Sequence, residues 1–461
     1  MLLPMARKIQ MRMLPMLKPT ALIAMLALGL LPSSTRSQTL FESWQAALKT
    51  DSDFLAQQDA LDADRENSAQ ARALYLPNVT ASAGLMYSRT TMNAHLPAVL
   101  AGEVPLSFSG TVVNGSVQAT QPLFDGASLA KARELRAGAR AAEARFAGQK
   151  QQLMLRVLDA YLDVQAAADA LALVRAQEDV ARREQRAAQA RFDAGRARIT
   201  DVREAQSRGD NAAAQAIVLS AQHDLALASY RALTGLDGQT IRPLKADVIP
   251  VPPVDPLSAW QSRADTASPT ITAQQHALDA AMAKADEFGL AGHVKLEANA
   301  SYQQMWRPGG NNSLLFPDRV GGYVGGVTLS IPFYTGGGME SRRRQALAQA
   351  AQSRHELDSA LRDLHLQIER AWLGQRNAVA QIAALRVALE SARLQERAAI
   401  TGRDVEIRTQ NDVVTAQAFT FDAQRQLDDA IRQYERNRLT LYALSGELSA
   451  EQLAWFDADL D

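Results

Sequence analysis

Between Ser128 and Asp193 the chain carries about 66 residues of unbroken helical pattern, and that stretch alone rules out an ordinary globular domain. Its apolar positions include Leu135, Ala139, Ala142 and Phe146, then Leu153, Val157, Ala160, Val164, Ala167, Leu171 and Val174. Steps of three and four residues are those of a coiled-coil seam. At 1.5 Å per residue such a helix is roughly 100 Å long, and a single core cannot bury it. Alanine at many seam positions allows neighbouring helices to approach closely. A second stretch of the same kind runs from about Glu340 to Thr401.

The two stretches belong to an internal duplication. "WQAALKTDS" from Trp44 returns as "WQSRADTAS" from Trp260, and "QPLFDG" from Gln121 as "IPFYTGG" from Ile331. "RFDAGRARITDVREAQ" (Arg191–Gln206) aligns without gaps on "GRDVEIRTQNDVVTAQ" (Gly402–Gln417), and "ALTG" ending at Gly235 on "ALSG" ending at Gly446. Order and spacing agree throughout. The proline-rich segment Val248–Pro256 separates the copies, because clustered proline stops both helix and central strand. The expected division is a leader over 1–37, a first repeat over 38–247, the linker 248–256, a second repeat over 257–447 and a tail over 448–461. Each repeat reads as helix, strand, strand, very long helix, tip, helix.

Helices alone would leave a soluble coiled-coil rod as an equal reading; the strands separate the two. Val79, Ala81, Ala83, Leu85 and Tyr87 alternate with polar or small neighbours, as do Val113, Gly115, Val117 and Ala119. The second copy repeats this at Val294, Leu296, Ala298, Ala300 and Tyr302, and at Tyr323, Gly325, Val327, Leu329 and Ile331. Segments of 8–10 residues with one apolar and one polar face are what transmembrane barrel strands show. A soluble sheet with one buried face alternates in the same way. Four strands cannot close a barrel, for which about eight are needed, and an open edge in lipid leaves backbone groups without partners. Several chains must therefore share one barrel: two would supply eight strands, three would supply twelve. The connections within each strand pair, around Pro97 and Pro308, are expected outside the cell.

Composition narrows the function. There is no cysteine, and the six histidines are scattered, which excludes thiolate metal sites, a cysteine nucleophile and a lipid-bearing cysteine. No P-loop, GxSxG elbow or metal-ligand cluster is present. "TGGG" (Thr335–Gly338) mimics a phosphate loop but lacks the Lys-Ser/Thr that follows one. Neither an enzyme nor a cofactor is expected. Arg7, Lys8, Arg12 and Lys18 precede an apolar run from Ala21 to Leu31, with small residues before Gln38, as in a secretory signal. Five basic and no acidic side chains lie in residues 1–37, so a net charge of −1 becomes −6 once they are removed. An acidic exported chain is a poor nucleic-acid binder. No later segment offers the ~20 apolar residues of a membrane-spanning helix, so insertion requires a β-barrel.

The segments "RFDAGRARITDV", "ALTG", "LSIPFYTGG" and "IRTQNDVVTAQ" resemble the signatures of TolC-like outer membrane factors, from Leu40 to about Leu453. The resemblance implies a mixed, mainly α fold: a trimeric outer-membrane β-barrel of four strands per chain, twelve in all. A long α-helical periplasmic barrel would continue it, and the linker and C-terminus would form an equatorial collar. It also implies a passive channel-tunnel for tripartite efflux or type I secretion. The implied partners are two further copies, outer-membrane lipid, a periplasmic adaptor and an inner-membrane pump of RND or ABC type.

By the same resemblance, functional residues sit at the two helix-turn-helix tips, where the periplasmic mouth closes. Asp201 and Arg408 match a gate-locking ion pair, with Thr200 beside it. Thr200 pairs in the family with a tyrosine whose position is Arg403 here, so that second latch is altered or absent. Asp412 matches an aspartate ring that narrows the pore and favours cations; a second aspartate is replaced by Thr415. Of the adaptor-contact tips, Gly195 keeps the tip glycine and Glu406 replaces it, which puts a standard second turn in doubt. Thr200, Asp201, Asn411 and Asp412 also suit plain helix N-caps.

Overall fold

The computed structural model describes residues 38–95, 103–245, 247–307, 318–405 and 407–460. The expected leader and the expected outer loops around Pro97 and Pro308 lie outside the described residues, as does Glu406. The first half runs α1 (Leu40–Thr50), α2 (Ser52–Ala73), β1 (Asn78–His95), β2 (Glu103–Asp125), α3 (Gly126–Asp193) and α4 (Ile199–Thr234). The second runs α5 (Leu257–Ala267), α6 (Pro269–Glu287), a 3₁₀ turn (Leu290–His293), β3 (Lys295–Trp306), β4 (Arg319–Ser330), α7 (Gly338–Asp404) and α8 (Gln410–Leu444). A short α9 (Ala450–Ala458) follows.

The single opening helix expected in each repeat is two pieces. Asp51 ends α1 and caps α2, its carboxylate accepting from the Phe54 N–H at 3.2 Å. Ser268 and Pro269 make the equivalent break, with proline at the first helical position, where its missing N–H costs nothing. The long helices have 68 and 67 residues, so each spans about 100 Å. The repeated "ALTG" and "ALSG" end α4 and α8 alike, with Gly235 at φ +73° and Gly446 at φ +80° in the left-handed region that glycine enters without strain.

The strands form one antiparallel sheet in the order β1-β2-β3-β4. They are longer than the alternation suggested: 18 and 23 residues in β1 and β2, and 12 each in β3 and β4. The fourth ends one residue early, at Ser330, and the third begins one late, at Lys295. Register puts the apolar positions on one face. One row reads Val79, Ala119, Ala300, Gly325, and the next Ala81, Val117, Tyr302, Tyr323. The opposite face carries Thr80, Gln118, Ser301 and Val324 in one row, and Ser82 bonds Ser116 across it at 2.8 Å. A bulge between Pro122 and Phe124 brings Phe124, rather than Leu123, opposite Leu296 on the apolar face.

Most of the core lies part-way down the helices. Leu40, Trp44, Leu153, Val157, Tyr161 and Tyr230 pack with Leu453, Phe456 and Leu460, so the C-terminal tail completes the first repeat's core. The second repeat has its own cluster around Trp260, Ile271, Leu364, Ile368 and Leu441. The linker straps across the second long pair: Val248 packs against Ile382, Leu427 and Tyr434, and the Tyr434 hydroxyl donates to the Val251 carbonyl at 3.2 Å. Asp457 binds the start of α1, accepting from the Leu40 and Phe41 N–H groups at 2.8 and 3.2 Å. The start of α1, the linker and the C-terminal tail thus pack at one level of the helices.

Candidate functional site

Two regions carry surface that a single chain leaves unsatisfied. The first is the sheet. Its apolar face has no cover: Leu85 is 74 % exposed, Val117 47 % and Tyr323 88 %. Phe333 and Tyr334, just past β4, are almost fully exposed as well. A face of this kind rimmed with aromatics marks a membrane or protein contact, and the outer edges of β1 and β4 have no strand partner among the described residues.

The second region is the pair of helical tips, where hairpin one (α3–α4) meets hairpin two (α7–α8). Gly195, at φ +74°, makes the first turn, and the Arg196 N–H closes it on the Arg191 carbonyl at 2.8 Å. The second turn closes in the same way, Ile407 N–H to Gly402 carbonyl at 2.8 Å, although its sequence lacks the glycine. Gly402 also makes room for Arg408, whose Cγ would lie 2.6 Å from any Cβ there.

Thr200 and Asn411 are not N-caps. Arg198 and Thr409 hold the cap positions, and Asp201 and Asp412 are the third residues of their helices. The Asp201 carboxylate accepts from the Arg198 N–H at 3.1 Å. Asp412 accepts from the Thr409 N–H at 2.8 Å and its hydroxyl at 2.9 Å. Those bonds, with Arg408 nearby, hold the Asp412 carboxyl below the usual range, so it is a firm negative charge. Within the protomer, among the described residues, no ion pair joins Asp201 to Arg408. Arg403 turns to its neighbour Asp404, at 2.7 Å, and toward Gln410, at 3.5 Å.

Pairs other than the expected gate pair join the hairpins. Gln410 Nε2 donates to Glu184 Oε1 at 2.7 Å, and Arg208 Nη2 to Asn411 Oδ1 at 3.1 Å. A cavity of about 330 Å³ lies between the tips, lined by Glu184, Arg191, Asp201, Arg208, Thr409 and Gln410 among others. Burial pushes the Glu184 carboxyl up, against the opposing pull of Arg208, of the Gln410 bond and of Arg403 and Arg191. The only sequence signal for it was one acid on an alanine-rich helix face.

Comparison with known proteins decides the class. The profile of the family described as Outer membrane efflux protein matches residues 44–236 and again 260–447. The chain belongs to the outer membrane efflux protein family. The outer membrane protein TolC of Vibrio cholerae is 28 % identical over 448 residues, covering 94 % of this chain and 96 % of that protein. The alkaline protease secretion protein AprF of Pseudomonas aeruginosa is 27 % identical over 412 residues, covering 86 % and 82 %. Among solved structures, the CmeC outer membrane channel of Campylobacter jejuni superposes with a TM-score of 0.75 at 14 % identity, over 92 % of this chain and 90 % of that one. The protein is an outer-membrane export channel of Gram-negative bacteria, and its two family matches fall one on each repeat.

Membership gives the sheet its solvent. From Leu296 to Trp306 the apolar face climbs ten residues, about 33 Å along the strand. At the ~40° tilt of such barrels that is roughly 25 Å upright, the height of an outer-membrane apolar band. Phe124, Phe333 and Tyr334 then sit at one boundary and Trp306 at the other, where aromatic girdles belong.

Proposed function

We propose that three copies share one 12-stranded barrel and continue as a helical tunnel through the periplasm, closed at rest at the tips and collared by the linker 248–256 and the tail 448–461. The observation that carries this is the open four-stranded sheet, apolar on one face and, among the described residues, unpaired at both edges. Lipid does not tolerate such edges, and the neighbour's β4 supplies the partner for β1. Exposed apolar residues along the rod, such as Ile217 and Leu225 on α4 and Val387 on α7, are contact surface for the same neighbours.

At the mouth, Asp412 from three chains forms a negative ring that selects cations. Asp201 and Arg408, which form no ion pair with each other among the described residues of one chain, meet across protomers beside Thr200, and Arg403 in place of a tyrosine leaves the second latch to other groups. The tips around Gly195 and Glu406 dock a periplasmic adaptor that an RND- or ABC-type inner-membrane pump drives. The relative named for protease secretion and the family's description as efflux protein support both kinds of system. Purified trimer in planar bilayers tests this reading. We expect cation-selective conductance that Asp412→Ala makes less selective and Arg408→Ala raises; trimer that conducts neither as wild type nor as Arg408→Ala overturns it.

A further inference from the structure

Where β4 passes into α7, the second repeat departs from the first. "QPLFDG" matches "IPFYTGG" at Pro122 with Pro332, Phe124 with Tyr334 and Gly126 with Gly336. Continued without a gap, the match sets Ala132, Arg133 and Glu134 against Arg342, Arg343 and Arg344. In the first repeat the charges at this level are neutralised within the chain. Lys131 Nζ donates to Glu134 at 2.8 Å, Arg133 Nη1 donates to Asp286 at 2.9 Å, and Ala132 is fully buried. Arg136 lies over the Tyr75 ring, 5.8 Å from its centroid. In the second repeat all three arginines are exposed, and none has an ion-pair or hydrogen-bond partner among the described residues. The acid nearest them in sequence is Glu340, in the first turn of α7, so the cluster is net positive.

The cluster sits where the apolar face ends. Residues 331–338 are exposed throughout, Phe333 and Tyr334 among them. Arg342 and Arg344 are the fifth and seventh residues of α7, about 6–9 Å along the helix from its start. The polar headgroup zone on each side of a bilayer is about 5–8 Å thick. The arginines therefore stand at headgroup depth, just beyond the aromatic boundary. Successive positions turn by about 100°, so the three fan over much of the helix and no orientation of α7 hides all of them from the outer surface. A neighbouring copy is a poor partner for them. Its α2 leads into the β1 that pairs with β4, and the residues of α2 at about the same depth, Asn67, Ser68 and Ala69, carry no charge; the first acid below them is Glu66. The planar fork of arginine suits phosphate, whose oxygens it meets two at a time.

We propose that Arg342, Arg343 and Arg344 form, on each chain, a binding site for anionic phospholipid headgroups of the leaflet facing the periplasm, with phosphatidylglycerol as the simplest ligand. The proposal rests on the channel reading above and adds to it a preference among lipids. Phe333 and Tyr334 hold the junction of sheet and rod from the apolar side and the headgroup phosphates hold it from the polar side, which fixes the height of the barrel in the membrane.

The test is lipid retention by full-length trimer. Trimer is reconstituted in vesicles of equal phosphatidylglycerol and phosphatidylcholine, extracted in mild detergent, washed, and its remaining lipids counted by mass spectrometry. Wild type should retain phosphatidylglycerol in preference. Arg342→Gln with Arg343→Gln and Arg344→Gln should lower the ratio by about 5-fold for each arginine that reaches a phosphate. The triple lysine variant, which keeps the charge, should keep most of the preference. Arg133→Gln, whose guanidinium is already paired, should keep all of it. Washing wild type in about 1 M salt should also lower the ratio, because charges are then screened within about 3 Å. An unchanged ratio in the glutamine variant, or in salt-washed wild type where that variant fails to assemble, overturns the site. Displacement of the lipid by millimolar inorganic phosphate overturns it as well, in favour of a site for free anions. Loss of SDS-resistant trimer in the glutamine variant with the ratio unchanged overturns it in favour of the neighbouring copy. All three outcomes leave the channel standing, whereas wild-type trimer that does not enter vesicles overturns both readings together.

Discussion

Arginine at Val117 measures where the membrane lies on the sheet. Val117 is on β2, an inner strand, between Ala81 and Tyr302, and half exposed on the apolar face. Its row stands six residues above the Leu296 row, about 20 Å along the strand and about 15 Å upright at ~40° tilt. On a band roughly 25 Å high this is within a few ångströms of the midplane, where arginine facing lipid costs about 2–4 kcal/mol per chain. Gln118, the next residue, points to the opposite face, so Gln118→Arg should cost about nothing. Leu296, the second residue of β3, lies at the band's lower boundary, and Leu296→Arg should cost about 0–1 kcal/mol. The assay is guanidinium titration of trimers folded into lipid vesicles, read as SDS-resistant trimer. Equal midpoints for Val117→Arg and Gln118→Arg, or a worse loss at Gln118, would refute the assignment of faces; a worse loss at Leu296 than at Val117 would refute the height.

Burial pushes the Glu435 carboxyl up to about 7 from an ordinary 4.5 despite the Arg438 guanidinium 3.2 Å away. The folded protein therefore keeps a proton that the unfolded chain releases, and the group's stability is present below about pH 4.5 and lost as pH rises to about 7. Glu435→Gln should flatten that decline, a difference on the order of 3 kcal/mol, visible in thermal unfolding at pH 5 and pH 8. Gly446→Ala should cost more than Gly235→Ala. Both have positive φ, but a Cβ on Gly446 would stand 2.3 Å from the Ala267 carbonyl, whereas at Gly235 the nearest atoms belong to the Thr50 side chain, at 3.2 Å; melting temperatures of the two variants check the order. Asp457→Ala removes the anchor of the C-terminal tail on α1, costs about 1 kcal/mol, and should speed proteolysis after residue 448.

What the sequence could carry was whatever period and position alone decide. Alternation over Val79–Tyr87 and Val294–Tyr302 fixed which residues share a face, and pairing could only confirm the parity, because a slip of one residue would have sent every apolar side chain to the other side. The lengths of β1 and β2 were not legible, since beyond Ser88 the alternation fades while the backbone ladder continues to His95. The breaks at Asp51 and Pro269 were marked by a capping aspartate and a first-turn proline, but a reading that followed apolar period alone passed over both. At the tips, local chemistry gave the turns and long-range packing gave the partners. Asp201 and Asp412 carry their meaning within three residues, so their place in the helix starts was open to a sequence reading. Glu184 and Gln410 are 226 residues apart, and neither is unusual where it stands. Only the antiparallel passage of α8 along α3 makes a contact of them.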